Sequence, residues 1–305
     1  MTAQATVRSF HWSDLEALTP VFNSVNGSTG TDGAFDDDLM RQVLSQPACD
    51  PERNCYVAER DGATVGFSLV SAETGISRAV INGGVLEPHR RQGIGRALLR
   101  RATARAEELE ASVLHVQVQV GADEAGPLLE SEGFRRARRY LNMTWHRAEL
   151  PLPEIGPGHL LRCFEEGDEQ ALTELQNASF GGSWGFSPNT VEDIIAKLAF
   201  KTSFPCGVVF VVDGRTPVAY NWTFRTVPPG GTTGWIGMTG VHPDYRRLGL
   251  GKAVLLAGMT YLVQNGVEMV RLEVDDLNAA AKQIYWLAGF RVTRESLWYE
   301  RSAYG

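Results

Sequence analysis

Two stretches of this sequence repeat each other at a long, fixed offset, which limits the fold to architectures built from two copies of one unit. Residues 85–99 read VLEPHRRQGIGRALL and residues 241–255 read VHPDYRRLGLGKAVL, an offset of 156 residues. A second pair of stretches, ESEGFRR at 130–136 and WLAGFRV at 286–292, keeps the same offset. Ordered matches of this kind predict a tandem repeat.

The match extends toward the start of each copy, where Arg8 and Asp14 recur at Arg162 and Asp168. In each copy the apolar pattern predicts a strand, a helix, two or three antiparallel strands, a strand that ends at a glycine-rich bend, a helix, a strand, a helix and a last strand. We therefore expect an α+β fold in which each copy has a mixed, mostly antiparallel sheet flanked by helices.

The length of the chain suits two domains. Its 305 residues give each copy about 150, which is a usual domain size. Prolines and glycines cluster in ELPLPEIGPGH, residues 149–159, where neither helix nor strand is favoured. We predict an N-terminal domain over residues 1–150, a linker over residues 151–158 and a C-terminal domain over residues 159–305.

Each copy contains Arg-Arg-x-Gly-x-Gly between a predicted strand and a predicted helix; we call residues 90–95 the first bend and residues 246–251 the second bend. The first N–H groups of a helix lack partners inside it, and the helix dipole places partial positive charge there. Glycine permits close approach of a ligand and the arginines add charge, so each bend suits a diphosphate. The alternative is a tight turn beside a solvated helix end. Neither bend has the glycine spacing of a Rossmann or P-loop nucleotide site.

The bends resemble the coenzyme A pyrophosphate loop of the GNAT superfamily of acyl-CoA-dependent N-acetyltransferases, Arg/Gln-x-x-Gly-x-Gly/Ala. A second block, with Asn278, Ala281, Tyr285, Gly289 and Phe290, resembles the family's Asn-x-x-Ala-x-x-hydrophobic-Tyr-x-x-x-Gly-Phe segment. The tandem arrangement is most similar to the mycothiol-synthase-like branch of double-domain GNAT proteins. The resemblance implies two tandem GNAT domains that use acetyl-CoA.

The resemblance also implies which residues bind the coenzyme, with the strand over residues 233–241 running beside its pantetheine arm. In the first copy the expected binding residues are Val85, Arg90, Arg91, Gly93, Ile94, Gly95 and Arg96. In the second copy they are Thr239, Val241, Arg246, Arg247, Gly249, Leu250, Gly251, Lys252 and Asn278.

Acetyl transfer to an amine needs the departing thiolate to be protonated. The resemblance implies that Tyr285 is this acid, and the alternative is a tyrosine that only packs in the core. The corresponding positions of Asn278 and Tyr285 in the first copy hold Ala122 and Leu129. We therefore expect chemistry in the C-terminal domain, with coenzyme binding or a scaffold role for the N-terminal domain.

The amine must also lose a proton. Related enzymes often carry a Glu for this on the strand that feeds the bend, but residues 233–241 contain no carboxylate. Glu273 on the next predicted strand is the candidate base, with Asp275 beside it. A water chain, or a purely solvated role for both carboxylates, remains open.

Composition narrows the classes of molecule that this chain is expected to bind. A formal net charge of −7 disfavours nonspecific binding to nucleic acid or to an anionic membrane. No apolar run approaches the ~20 residues of a membrane span, and no secretory signal is visible at the start, so the expected location is cytoplasmic. Four cysteines without metal-ligand spacing indicate no metal site.

The leading hypothesis is an acetyl-CoA-dependent transferase that acetylates a primary amine of a small molecule, as a monomer or homodimer. An acyl-CoA-binding regulator without activity and a protein or peptide N-acetyltransferase are the alternatives. The acceptor side is expected in residues 177–206, where Phe180, Trp184 and Phe186 alternate with glycines. These aromatic side chains either close over a substrate or cap the core.

Overall fold

The structure is a computed structural model that describes residues 5–27, 34–47, 49–121, 125–146, 149–226 and 232–303. Backbone contacts divide the chain into two compact units. Unit 1 comprises Met1–Arg139 with Ser296–Gly305, and unit 2 comprises Tyr140–Glu295. Both units have α+β content with a mixed sheet flanked by helices, which confirms the predicted fold class.

The elements of the first copy follow the predicted order except that three helices, and not one, precede the second strand. They are β1 (Thr6–Ser9), α1 (Leu15–Val25), α2 (Asp37–Leu44), α3 (Pro51–Asn54), β2 (Cys55–Arg60), β3 (Ala63–Glu73), β4 (Arg78–Val85), α4 (Ile94–Glu108), β5 (Val113–Gln119), α5 (Ala125–Ser131) and β6 (Arg135–His146).

The second copy repeats this order without a counterpart of α3. Its elements are β7 (His159–Cys163), α6 (Glu169–Phe180), α7 (Val191–Leu198), β8 (Ser203–Asp213), β9 (Thr216–Thr226), β10 (Thr233–Val241), α8 (Leu250–Gln264), β11 (Met269–Asp275), α9 (Ala279–Leu287) and β12 (Arg291–Ser302).

The division into units differs from the predicted boundary because strand pairing, and not the proline-rich stretch, determines it. In unit 1 the last strand beside β5 is Ser296–Ser302 of β12, paired antiparallel. In unit 2 the strand beside β11 is Tyr140–His146 of β6, also antiparallel. Each unit therefore takes one strand from the other repeat, and residues 151–158 lie within unit 2.

In unit 2 the sheet is covered on both faces. On one face, Leu172 of α6 and Ile194 of α7 pack against Phe210 and Tyr220. On the other face, α8 and α9 pack against β11, and the buried cluster includes Leu255, Met259, Val274 and Tyr285. We call these the α6/α7 face and the α8/α9 face. Since side chains alternate along a strand, neighbouring residues of β9 and β10 serve opposite faces.

The arginine and aspartate that repeat near the start of each copy form the same hydrogen-bonded ion pair in both units. The guanidinium of Arg162 donates to both carboxylate oxygens of Asp168, and Asp168 Oδ2 also accepts from the Glu165 N–H at 2.8 Å. In unit 1 Arg8 makes the same two bonds to Asp14, which accepts from the His11 N–H. This ion pair fixes the first strand to the start of the first helix, which accounts for the presence of the same pair in both copies.

Candidate functional site

The strands β10 and β11 separate partway along their length. They pair in parallel only through Thr233–Trp235 and Met269–Arg271, after which β10 continues to Val241 and β11 to Asp275. On its other side β10 stays paired with β9 through Val241. The edge of β10 from Ile236 onward therefore faces a cleft, where its backbone groups are open to a ligand.

The second bend lies at the end of this edge and has the geometry of an anion site. Arg247 and Gly249 both adopt positive φ, 68° and 79°, and Gly249 caps α8. Alternation of right- and left-handed residues turns successive N–H groups toward one concave side, where an anion binds. The left-handed conformation is costly for a side chain such as that of Arg247 and is typical of functional sites.

Four main-chain donors of the second bend have no acceptor within the described part of the chain. This holds for the N–H groups of Leu248, Gly249, Leu250 and Gly251, whereas the Lys252 and Ala253 N–H groups both donate to the Gly249 carbonyl. Four adjacent donors at the positive end of a fifteen-residue helix match the oxygens of a diphosphate. The residues present therefore fit a coenzyme with that group.

The side chains of the second bend divide into a structural group and an exposed group. Arg246 Nη2 donates to the Ser179 carbonyl at 2.8 Å, which ties the bend to α6. Leu250 is buried in the core, so it can offer a ligand only its backbone. Arg247 and Lys252 are exposed. Their charges are available to a phosphate.

The first bend has the same backbone with different side-chain contacts. Arg91 and Gly93 have φ of 60° and 82°, and Arg90 Nε donates to the Val85 carbonyl at 3.0 Å. Arg96, at the position of Lys252, forms an ion pair with Glu132 at 3.0 Å. In unit 1 the charge of Arg96, near the start of α4, is therefore already paired with a carboxylate.

Tyr285 lies on the α8/α9 face beside the cleft. It is 8% exposed, and its phenol lies close to the side chain of Thr239, a residue of β10 beyond the point of separation. Burial raises the pKa of Tyr285 above its usual value, and the hydroxyl of Thr239, which can donate to the phenolate, opposes this rise. A phenol in this state keeps its proton at neutral pH and can donate it to a stronger base.

Asn278 has a structural role that the sequence analysis did not assign. Its Oδ1 accepts from the Ala281 N–H at 3.1 Å, which makes it the N-cap of α9. The helix so capped carries Tyr285. Asn278 is exposed, and its side-chain oxygen is used by this cap.

The two candidate carboxylates occupy β11. Leu272 and Val274 pack on the α8/α9 face, so by alternation Glu273 projects from the opposite face. Glu273 is exposed and its Oε1 accepts from Asn142 Nδ2 at 3.3 Å. Asp275 Oδ1 accepts from the Leu277 N–H at 2.9 Å, which commits it to the turn before α9.

Unit 1 has the cleft without the phenol. β4 and β5 pair in parallel only over Arg78–Ile81 and Val113–Val116, and β4 continues to Val85. The position of Tyr285 holds Leu129, which is 3% exposed and packs in the core. Ala122, the counterpart of Asn278, lies outside the described residues.

The aromatic stretch expected on the acceptor side lies on the α6/α7 face. The rings of Phe180 and Phe186 lie 5.5 Å apart, and Phe180 packs against the core cluster. Asn177 exchanges two hydrogen bonds, both 2.9 Å, with the backbone of Asn189 and so closes the loop between them.

Within the described ranges, no cluster of metal-ligating side chains is found and no helix is long and apolar enough to cross a membrane.

Comparison with known proteins agrees with this geometry. The family model described as "Acetyltransferase (GNAT) family" matches residues 169–290, and the model described as "Acetyltransferase (GNAT) domain" matches residues 51–136. A mycothiol acetyltransferase of Thermomonospora curvata is 33% identical over 90% of this chain and 90% of its own length. One from Geodermatophilus obscurus is 30% identical over 95% of this chain and 96% of its own length.

The fold is that of a solved GCN5-related N-acetyltransferase from Sphaerobacter thermophilus. The two structures superpose with a TM-score of 0.78 at 20% identity, covering 98% of this chain and 96% of the other. At this identity the likeness concerns the fold alone. With its two family matches and its full-length relatives, the chain belongs to the GNAT acetyltransferases, as a tandem two-domain N-acetyltransferase of the mycothiol acetyltransferase-like branch.

Proposed function

We propose that this chain transfers acetyl from acetyl-CoA to a primary amine of a small molecule, with the chemistry in unit 2. The observation that carries the proposal is the phenol of Tyr285, which meets Thr239 just beyond the separation of β10 and β11. In unit 1 the corresponding position is Leu129, which has no proton to give. The same backbone cleft thus carries an acid in one unit only.

The binding part of the proposal assigns a place to each region of the coenzyme. The unpaired N–H groups of the second bend, with Arg247 and Lys252, hold the diphosphate. The edge of β10 from Ile236 to Val241 bonds the pantetheine arm. When bound, acetyl-CoA supplies the acetyl group as a thioester.

In the proposed reaction, one proton transfer takes place on each face of the sheet. Tyr285 donates its phenol proton to the sulfur as the carbon–sulfur bond breaks and the amine nitrogen bonds to the acetyl carbon. Glu273 accepts the proton that the amine loses, directly or through water. Protons balance, because the proton lost by nitrogen replaces the one given by Tyr285 through solvent.

The relatives supply the first acceptor to test. Full-length relatives are named mycothiol acetyltransferases, and we propose that the unacetylated form of mycothiol, or an amine like it, is the acceptor. In this proposal the acceptor approaches the exposed Glu273, which bonds Asn142, and the loop closed by Asn177 and Asn189.

The test is transfer of radiolabelled acetyl from acetyl-CoA to this acceptor by the wild type and by Tyr285→Phe. Loss of a general acid costs about 10²- to 10⁴-fold in kcat, so Tyr285→Phe should lower kcat by at least 10²-fold. Tyr261→Phe, which removes a phenol hydroxyl from α8 in the same unit, is the matched control and should keep the wild-type rate. Full activity of Tyr285→Phe would remove Tyr285 from the mechanism.

A further inference from the structure

Asn221 is a fully buried amide that the sequence analysis did not single out. It lies on β9 directly opposite Thr239 of β10, and its Nδ2 donates to Thr239 Oγ1 at 2.7 Å. Its Oδ1 is buried and has no partner within the described residues. Leaving a buried acceptor unpaired destabilises a fold, so a role in packing alone does not account for this side chain.

The helix above Asn221 is adapted to it. A Cβ at Gly258 of α8 would lie 1.9 Å from Asn221 Oδ1, so no other residue fits there without a shift. The neighbours of Gly258 along this face are apolar, among them Val254 and Leu262. The helix therefore lacks a side chain where the amide needs room.

The internal repeat supplies the comparison. Opposite Gly83 of β4, the counterpart of Thr239, stands Ser68 of β3, and the counterpart of Gly258 is Ala102. Ser68 Oγ donates to the Leu98 carbonyl and does not reach across the sheet. Where unit 1 has leucine at position 129 in place of the phenol, it also lacks the hydroxyl, the amide and the glycine that surround the phenol in unit 2.

The direction of the hydrogen bonds follows from the donor inventory. Asn221 Nδ2 can only donate, so Thr239 Oγ1 accepts and its own O–H is left to donate. The Tyr285 oxygen is a nearby acceptor for this O–H, and a phenol that accepts from Thr239 can direct its own O–H away from Thr239. Among the described residues, the fully buried phenol of Tyr220, which lies on the α6/α7 face of β9, also interacts electrostatically with Tyr285.

We propose that Asn221 and Thr239 are positioning residues that form a one-way hydrogen-bond chain with Tyr285 and leave the phenol proton directed into the cleft between β10 and β11. The inference rests on the proposed role of Tyr285 as the acid. According to this inference, Asn221 and Thr239 affect proton donation by Tyr285 and do not affect the affinity of the second bend for the coenzyme.

The first test uses the protein without coenzyme. In protein labelled with ¹³Cζ-tyrosine, the Tyr285 resonance is identified by its loss in Tyr285→Phe, and its chemical shift is followed against pH. Thr239→Val removes the donor that stabilises the phenolate, so the titration midpoint should move upward by about half to one pH unit. Thr239→Ser should restore the wild-type midpoint, and Thr260→Val, which removes a hydroxyl bonded to the Leu256 carbonyl in α8, should leave it unchanged.

The second test is a double-mutant cycle on kcat. Thr239→Val alone should lower kcat by about tenfold with the KM for acetyl-CoA nearly unchanged. In the Tyr285→Phe background it should have almost no further effect, because both changes remove the same proton transfer. Asn221→Ser, which copies unit 1, should behave like Thr239→Val with a smaller loss.

An unchanged midpoint in Thr239→Val, or additive losses in the cycle, would overturn the inference. Failure of the proposed function has a different signature, since full activity of Tyr285→Phe would exclude the acid whatever the midpoint does. In that case the titration of the unliganded protein still decides whether Asn221 and Thr239 hold the phenol.

Discussion

Tyr285 and Leu129 occupy equivalent helices in two copies of one backbone, and the difference between a phenol and an isobutyl group separates a unit that can donate a proton from one that cannot. The surroundings differ with them. In unit 2 Thr239 lies close to Tyr285 and accepts a hydrogen bond from Asn221, whereas Gly83 and Ser68 stand at the positions of Thr239 and Asn221 in unit 1. The proposed catalytic role therefore involves a group of side chains and not one residue.

Glu273 is the residue whose role is most open to a direct test. We expect Glu273→Gln to lower kcat/KM for the acceptor by at least about tenfold, because a positioned base contributes 10²- to 10⁴-fold and a water chain can replace part of it. Glu192→Gln, an exposed carboxylate of α7, is the control. Steady-state kinetics over a range of pH measures both, and a rate equal to the wild type would assign proton removal to solvent.

The sequence indicated candidate catalytic residues more readily than the side chains that contact them. The match around Asn278 and Tyr285 drew attention to the phenol, because its spacing is visible along the chain. Asn221 gave no such signal, since its importance comes from the register of β9 against β10 and from burial. The one trace in the sequence is Gly258 in an apolar helix, where the other copy has Ala102, and that trace becomes informative only once the facing side chain is known.

At the scale of elements, the two bends reproduce each other in backbone and differ in charge. Both place a side-chain residue and then a glycine at positive φ before a helix of fifteen residues. The glycine spacing was enough to predict the bend and its helix. The contacts of the arginines could not be predicted, because Arg246 and Arg90 each bond a carbonyl that lies elsewhere in the folded chain.

The charge on the second bend should be measurable through salt dependence. Arg247→Gln should weaken binding of coenzyme A by roughly tenfold at low ionic strength and by clearly less at high ionic strength, where exposed charges are screened. Calorimetric titration at two salt concentrations measures this. Arg215→Gln, in the exposed hairpin turn between β8 and β9, is the control, and an equal loss at both salt concentrations would argue against a charge contact.

The Arg162–Asp168 ion pair predicts how the stability of unit 2 changes as the pH falls. The Arg162 guanidinium holds the pKa of Asp168 below its usual value. A carboxyl with a depressed pKa adds stability above its unfolded pKa of about 3.9 and loses it as the pH falls through its folded pKa. We expect Asp168→Asn to be less stable than the wild type at pH 7 by about 1–2 kcal/mol and to lose less on acidification.

Unfolding in urea at a series of pH values tests this. Asp14→Asn is the matched variant in unit 1 and should cost less, because Arg8 is more exposed than Arg162 and keeps Glu59 as a second partner. Equal pH dependence of the wild type and Asp168→Asn would show that the ion pair does not contribute as proposed.

At the scale of the whole molecule, the chain has two units of one fold, and only unit 2 has a phenol at the position of Tyr285. The repeat at an offset of 156 residues was sufficient to predict two copies and the α+β order of their elements. It could not predict that β6 and β12 each contribute to both units, because strand pairing between distant segments leaves no local pattern. The proline-rich stretch after β6 marks a break in regular structure but not the boundary between compact units.

The most direct test of where the chemistry lies is acetyl transfer by Gly249→Glu and Gly93→Glu, the same change in the two bends. Both glycines have nearly the same φ, and a Cβ at either would meet no atom within 4 Å, so the two variants share their strain and differ only in the unit affected. We expect Gly249→Glu, which puts a negative charge where the diphosphate binds, to abolish transfer. Gly93→Glu should keep the rate to within roughly a factor of two. Transfer that survives in Gly249→Glu and is lost in Gly93→Glu would assign catalysis to unit 1 and contradict the central claim.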